Sequence, residues 1–240
     1  MQFSVVIPLF DEEENVERLL ATVSASLEQN GYVEEYEILC VNDGSTDRTG
    51  AALRKHATGD TRIVTRAARG GKSAALAAGL EAARYDIVGL LDADLQTTPD
   101  DFEPMLERLE AGFDCAHGIR VNRQDNVLRR WSSRVANGIR RRILSDPFRD
   151  ISCPLTVFRK QCLERVTLFE PFHRYIPFLI QMQGYRVAEV PVRHFPRIAG
   201  RAKYGVSNRI WIGVTSLLAV RWLARHHTPR ILPERSDHDA

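Results

Sequence analysis

The strongest constraint on how this chain can fold is the alternation of apolar and amphipathic stretches before Arg120. Phe3-Ser4-Val5-Val6-Ile7-Pro8-Leu9 is almost continuously apolar, and similar short runs recur at 36–41, 62–65, 87–91 and 113–118. Between them the apolar residues fall at helical spacing, as with Val16, Leu19, Leu20, Val23 and Leu27 inside 12–29. Further helices are predicted over 47–56, 72–83 and 100–109. A strand wetted on one side alternates polar with apolar residues. Strands that are apolar throughout must be covered on both faces, which requires helices packed on either side of a parallel sheet. The predicted class is therefore α/β, Rossmann-like, with a mostly parallel sheet flanked by helices. Beyond Arg120 the alternation breaks. An Arg-rich helix is expected over about 127–144, then irregular sequence around Asp150-Ile151-Ser152-Cys153-Pro154. A strand over 187–192 and a C-terminal amphipathic helix ending before Thr228 complete the expectation. No repeat or linker divides the chain, so one domain is expected over 1–228, with halves at about 1–120 and 121–228 and a polar tail at 229–240.

Composition narrows the partners. The 240 residues are 44% hydrophobic, enough for a substantial core, and the net charge of +2 gives no sign of a nucleic-acid binder. Basic residues are nevertheless clustered. Eight arginines stand against Asp125 alone between Gly118 and Arg142, and four arginines with Lys203 stand against no acid between Pro191 and Arg209. Such clusters make either a localised anion site or solvated helix faces. Cys40, Cys115, Cys153 and Cys162 show no CxxC pairing, which fits buried thiols in a reducing compartment rather than a disulfide framework or zinc site. The N-terminus has no secretory pattern and no apolar stretch is long enough to span a bilayer. The stretch from Ile210 to Val220, with Trp211 and Trp222 near its ends and Arg225, His226 and His227 beyond, suits a helix at a bilayer interface or one packed on its own domain.

In open parallel sheets ligands bind at the carboxyl ends of the strands, which selects four polar loops: 8–12, 42–47, 66–72 and 92–96. The last poses a problem. Asp92-Ala93-Asp94-Leu95-Gln96 sets two like charges one residue apart at the end of an apolar strand, and they repel unless a cation lies between them. A phosphatase-type aspartyl pair would need Thr or Val where Gln96 stands, and a turn or capping role explains Asp94 alone. A Walker loop is excluded because Arg66 occupies its first glycine position, although Gly70-Gly71-Lys72 still opens a helix whose N–H groups and cation can receive phosphate oxygens. A divalent ion, Mg²⁺ or Mn²⁺, held by a few hard oxygens and completed by substrate phosphates accounts for both acids. Departure of a nucleoside diphosphate is a chemistry that needs such an ion.

Pro8-Leu9-Phe10-Asp11-Glu12-Glu13-Glu14-Asn15, Val41-Asn42-Asp43-Gly44-Ser45-Thr46-Asp47 and Asp92-Ala93-Asp94-Leu95-Gln96 resemble, in order and spacing, the family 2 glycosyltransferases of GT-A fold. More narrowly, the chain resembles the polyprenyl-phosphate sugar synthases of dolichol-phosphate mannose synthase type. Arg197-Ile198-Ala199-Gly200-Arg201-Ala202-Lys203-Tyr204-Gly205 is similar to a further segment of that subgroup, as are Gly118-Ile119-Arg120 and the stretch from Asp150 to Lys160. The resemblance implies donor-binding roles for Pro8, Phe10, Glu12, Asp43, Lys72 and Asp92. It implies metal binding by Asp92, Asp94 and Gln96. Arg120, Arg129, Ser133 and Arg197 fall where the family contacts the acceptor phosphate, and Asp94, Arg120, Arg197 and Lys203 would carry catalysis. Phe10, Asp11 and Ala202 replace the subgroup's usual Tyr, Asn and Ser, which affects base and phosphate contacts.

The expected function is inverting, metal-dependent transfer of a sugar from a GDP- or UDP-linked donor to a polyprenyl phosphate. An ionised phosphate needs positioning and charge neutralisation more than a general base. The expected location is cytoplasmic, peripheral at the membrane face, on lipid or an integral partner. Two alternatives stay open: a soluble transferase acting on a carbohydrate hydroxyl, with Asp150 or Glu189 as base, and a non-catalytic nucleotide-binding subunit.

Overall fold

The computed structural model describes residues 1–121, 138–164, 166, 168–196 and 206–227, and side chains of the last segment from Gly213 onward. Seven strands form one sheet: β1 (Gln2–Leu9), β2 (Glu35–Asn42), β3 (Thr61–Thr65), β4 (Ile87–Leu90), β5 (Cys115–Arg120), β6 (Thr156–Arg159) and β7 (Val187–Val192), in the order β3-β2-β1-β4-β6-β5-β7. Helices α1 (Val16–Glu28), α2 (Thr49–His56), α3 (Lys72–Ala82) and α4 (Phe102–Glu110) connect the early strands, as the apolar spacing predicts. Helices α5 (Ile176–Met182) and α6 (Val206–His226) lie in the second half, and 138–144 is also helical.

All pairings are parallel except those of β6, which runs antiparallel between β4 and β5. The sequence pattern gave no expectation of β6 or of α5. Thr156-Val157-Phe158-Arg159 is short, follows irregular sequence, and becomes a strand because Val88 and Cys115 flank Phe158 on both sides. Two antiparallel pairings in succession leave β5 and β7 pointing the same way as β4. The ends of β1, β2, β3, β4, β5 and β7 therefore share one edge.

Alternate residues of the strands feed two core clusters. Phe3, Val5 and Ile7 of β1 face α1 and α4, with Leu19, Val23, Phe102 and Leu106, while Val6 faces α3 and α5 with Leu76, Phe172 and Leu179. Phe3 and Phe102 meet edge to face at 5.2 Å. Gly89 gives them room, since a Cβ there would stand 2.4 Å from the Phe3 ring. The four cysteines are buried as thiols, and burial pushes Cys40 and Cys153 up to about 12. No helix among the described residues is long and apolar enough to cross a membrane.

Candidate active site at the carboxyl edge of the sheet

Register places the strand ends together: Leu9 opposite Asn42, and Asn42 opposite Thr65. The loops that follow are stitched to one another. Asp11, at positive φ (49°), accepts the Thr46 N–H at 2.7 Å and donates its own N–H to the Ser45 hydroxyl at 3.1 Å. The Glu12 N–H donates to the Thr49 hydroxyl at 2.8 Å, and the Glu12 carboxylate accepts the Asn15 side-chain amide at 2.7 Å. Backbone strain at a non-glycine residue persists only where surroundings over-determine it, and here the 42–49 loop does so.

Asp43 is buried at the end of β2 and is ion-paired with Arg66. It also accepts the N–H groups of Gly70 and Gly71 at 3.0 and 2.8 Å. The glycines that open α3 thus turn their donors to a carboxylate of the protein, where the sequence suggested they could receive phosphate. Gly44, at φ 66°, lets the 66–71 loop lie directly over it, because a Cβ would meet the Ala68 and Arg69 backbone at 2.6 Å. The Arg69 guanidinium rests over the Phe10 ring at 4.1 Å.

The metal-loop candidates follow β4. Asp92, Asp94 and Gln96 are half-buried while Ala93, Leu95 and Thr97 are buried, so the three polar side chains lie apart from the core-facing ones. Leu95 holds positive φ (52°), a second strained position at this edge. The Gln96 N–H donates to Asp94 at 3.2 Å. The Gln96 backbone carbonyl accepts the Phe195 N–H at 2.8 Å, tying the loop to the segment after β7. The Lys72 ammonium, from the first residue of α3, lies on Asp92. Its neighbour Ser73 is hydrogen-bonded to His173 at 2.7 Å. Burial, then the charges of Lys72 and Arg174, push His173 down to about 3, so it is neutral. Lys72, Asp92, His173, Thr156, Cys153 and Ile176 are among the residues lining a cavity beneath this loop.

At the end of β5, Arg120 is gripped by Asp150 through two parallel bonds of 2.7 and 2.8 Å, with a third to Ser152 at 3.0 Å. Asp150 is itself buried, and its carbonyl is bonded to the imidazole of His117. The other carboxylate considered as a base, Glu189, accepts the Arg149 N–H at 2.7 Å.

Of the sequence-derived candidates, Pro8, Phe10, Glu12, Asp43, Lys72, Asp92, Asp94, Gln96 and Arg120 lie on or next to this edge. Arg129, Ser133, Arg197 and Lys203 lie outside the described residues. Sequence reasoning passed over Arg66, Arg69, Ser73 and His173. The clue for His173 was a His-Arg pair between two apolar runs, but its partner Ser73 is 100 positions away. Among the described residues no three His, Cys, Asp or Glu side chains gather into a ready metal cage.

Residues 4–167 match the family model for glycosyl transferase family 2. The chain is 33% identical over 210 residues to the undecaprenyl-phosphate 4-deoxy-4-formamido-L-arabinose transferase of Edwardsiella ictaluri, covering 86% of this chain and 64% of that protein. It is 33% identical over 233 residues to the dodecaprenyl-phosphate galacturonate synthase of Rhizobium johnstonii, covering 94% and 68%. The chain thus spans less than two thirds of the first of these relatives. Among solved structures, it is similar to a glucosyl-3-phosphoglycerate synthase from Mycobacterium tuberculosis in complex with Mn²⁺, UDP and glucosyl-3-phosphoglycerate (TM-score 0.68, 18% identity, 92% of this chain and 79% of that one). It is also similar to a mannosyltransferase from Pyrobaculum calidifontis in complex with GDP-Man and Mn²⁺ (TM-score 0.66, 22% identity, 95% and 65%). The latter two likenesses establish the fold.

Proposed function

The chain belongs to glycosyl transferase family 2, and on that premise we propose that it transfers a sugar from a nucleoside diphosphate to a polyprenyl phosphate with inversion. The observation that carries the acceptor assignment is the state of Asp150, whose carboxylate is buried and spent on Arg120. A hydroxyl acceptor needs a base to take its proton. A phosphate, with a second pKa of about 6, needs no base and is served by arginines instead. The names of the polyprenyl-phosphate relatives at 33% identity support the same acceptor class.

In this reading a phosphate oxygen of the acceptor attacks the anomeric carbon while the bond from that carbon to the donor diphosphate breaks. The nucleoside diphosphate leaves with the bonding pair. Phe10 presents a ring face for the base, with Arg69 above it, and Pro8, Glu12 and Asp43 frame the base and ribose. Lys72 is a cation beside the departing phosphates. Arg120, held in place by Asp150, lies on the acceptor side, Ser133 offers a hydroxyl, and Arg129, Arg197 and Lys203 supply the positive charge for the acceptor phosphate. Two half-buried carboxylates, with no third His, Cys, Asp or Glu gathered beside them among the described residues, fit Mg²⁺ or Mn²⁺, which ordinarily complete their shell with water and substrate phosphate. Asp92, Asp94 and Gln96 would hold it, and when bound it would neutralise the charge developing on the diphosphate. The protein works at the cytoplasmic face of the membrane, where such an acceptor lipid resides.

The test is incubation of the protein with Mn²⁺, radiolabelled nucleotide sugars and polyprenyl phosphate, followed by counting of organic-phase label. Label is expected in the organic phase, and Asp94→Ala and Arg197→Ala should each abolish it. Label confined to water-soluble products would overturn the acceptor assignment, and full turnover by Asp94→Ala would overturn the metal assignment.

A further inference from the structure

Helix α3 begins at Lys72 without the side-chain cap that fixes many helix starts. Gly71 stands at its N-cap with φ 88° and has no side chain to return a hydrogen bond. The first turn is held instead by three distant parts of the chain. Asp43 accepts the Gly70 and Gly71 N–H groups, Asp92 takes the Lys72 ammonium, and Nδ1 of His173 bonds the Ser73 hydroxyl at 2.7 Å. Ser73 is buried, and His173 lies in the short turn Phe172–Arg174. Phe172, Tyr175 and Ile176 around it are all buried in the second core cluster, so the imidazole stands on a fixed platform. His173, Lys72 and Asp92 line the same cavity.

We propose that Ser73 and His173 are a positioning pair for Lys72, fixing the helix turn from which its ammonium reaches the departing phosphates of the nucleotide sugar. The inference deepens the donor reading above and rests on it. A lysine ammonium rides on a flexible four-carbon stem, so it is aimed only as well as its backbone is held. Lys72 is the first residue of α3, and helix ends fray. The bond from His173 falls on the next residue, where it stops that fraying beside the ammonium. The partner also suits the site by charge. A cation in the place of His173 would compete with Lys72 for Asp92, and a carboxylate would draw the ammonium away from it. A neutral ring does neither and still offers a hydrogen bond. Burial, with the charges of Lys72 and Arg174, keeps the imidazole uncharged. In this role Ser73 and His173 act through Lys72 and make no contact of their own with the diphosphate.

Calorimetric titration of the full chain with GDP and with UDP, each in the presence of Mn²⁺, tests the assignment without any acceptor. Ser73→Ala should weaken binding of the nucleotide that the wild type takes by about threefold to tenfold, the range set by one hydrogen bond. His173→Leu should lose a similar factor. His173→Asn sets a side-chain amide near the place of Nδ1 and should recover affinity to within about twofold of the wild type. The deciding comparison is made on Lys72→Met. There Ser73→Ala should weaken binding no further, because the group it positions is gone. In turnover the Ser73→Ala loss should fall on the KM for the nucleotide sugar and leave the KM for the acceptor unchanged. The serine variant removes only a hydroxyl, so the comparison holds even where a change at His173 unfolds the chain. Wild-type affinity in Ser73→Ala, or an equal loss in the presence and absence of the Lys72 ammonium, would overturn the positioning role alone. Wild-type protein that binds neither nucleotide would overturn the donor reading and this role with it.

Discussion

Replacing Asp150 by Ala strips a buried counter-ion from Arg120. In the native fold the Arg120 side chain is 14% exposed and that of Asp150 is 7% exposed, joined at 2.7 Å. Solvent therefore cannot take over when the carboxylate goes, and breaking one side of such a pair costs about 3–5 kcal/mol. For a chain of this size each kcal/mol lowers the melting temperature by about 2–4 °C, so the variant should melt roughly 6–20 °C below the wild type. The loss concerns the orphaned cation, so Arg120→Met combined with Asp150→Leu should recover most of it, since an apolar pair of similar volume is often neutral. Urea unfolding of the wild type, both single variants and the double variant gives the comparison directly. A loss below about 1 kcal/mol for Asp150→Ala, or additive losses in the double variant, would refute the claim that this pair is desolvated and mutually dependent.

Three further outcomes are expected. His117 is buried, and burial first, with Arg120 and Arg140 adding to it, lowers it from 6.5 to about 4. The unfolded chain binds the proton first, so stability is full above pH 6.5 and falls by about 3 kcal/mol as the pH drops from 6.5 to 4. His117→Gln should flatten that slope in urea melts taken across the window. Gly89→Ala drives a methyl group against Phe3 and Phe102 and should cost about 1–3 kcal/mol of overpacking in chemical denaturation. Lys72→Met removes the ammonium beside Asp92 and should raise KM for the nucleotide sugar about tenfold or more, read from initial rates at saturating acceptor. An unchanged donor KM would show that Lys72 serves folding alone.

The order of strands and helices in the first half was legible because local physics fixes it. Val5, Val6 and Ile7 must all be covered, and Val16, Leu19, Leu20, Val23 and Leu27 recur at the helical period, whatever the rest of the chain does. The Asp92-Ala93-Asp94-Leu95-Gln96 segment was legible for a similar reason, since two adjacent carboxylates after an apolar strand signal their own electrostatic problem. Their neighbours were less so. The sequence could suggest that Gly70, Gly71 and Lys72 face phosphate. It could not show Asp43 already accepting both glycine amides, because that contact spans a crossover helix and a strand. Arg69 over Phe10 and His173 on Ser73 are equally non-local.

What the sequence determined by itself was the set of elements whose stability is decided by their own periodicity, together with the residues that carry charge at their ends. Tertiary structure alone decided the partners. It slotted four residues of β6 antiparallel into a parallel sheet, since backbone groups left unpaired between β4 and β5 would cost more than the reversal. It also turned Asp150 from a conceivable base into the clamp of Arg120, and split one apolar helix, α6, into a buried face and an exposed one. Each depends on which surfaces meet, and burial and desolvation, unlike helical or strand period, are properties of the assembled fold.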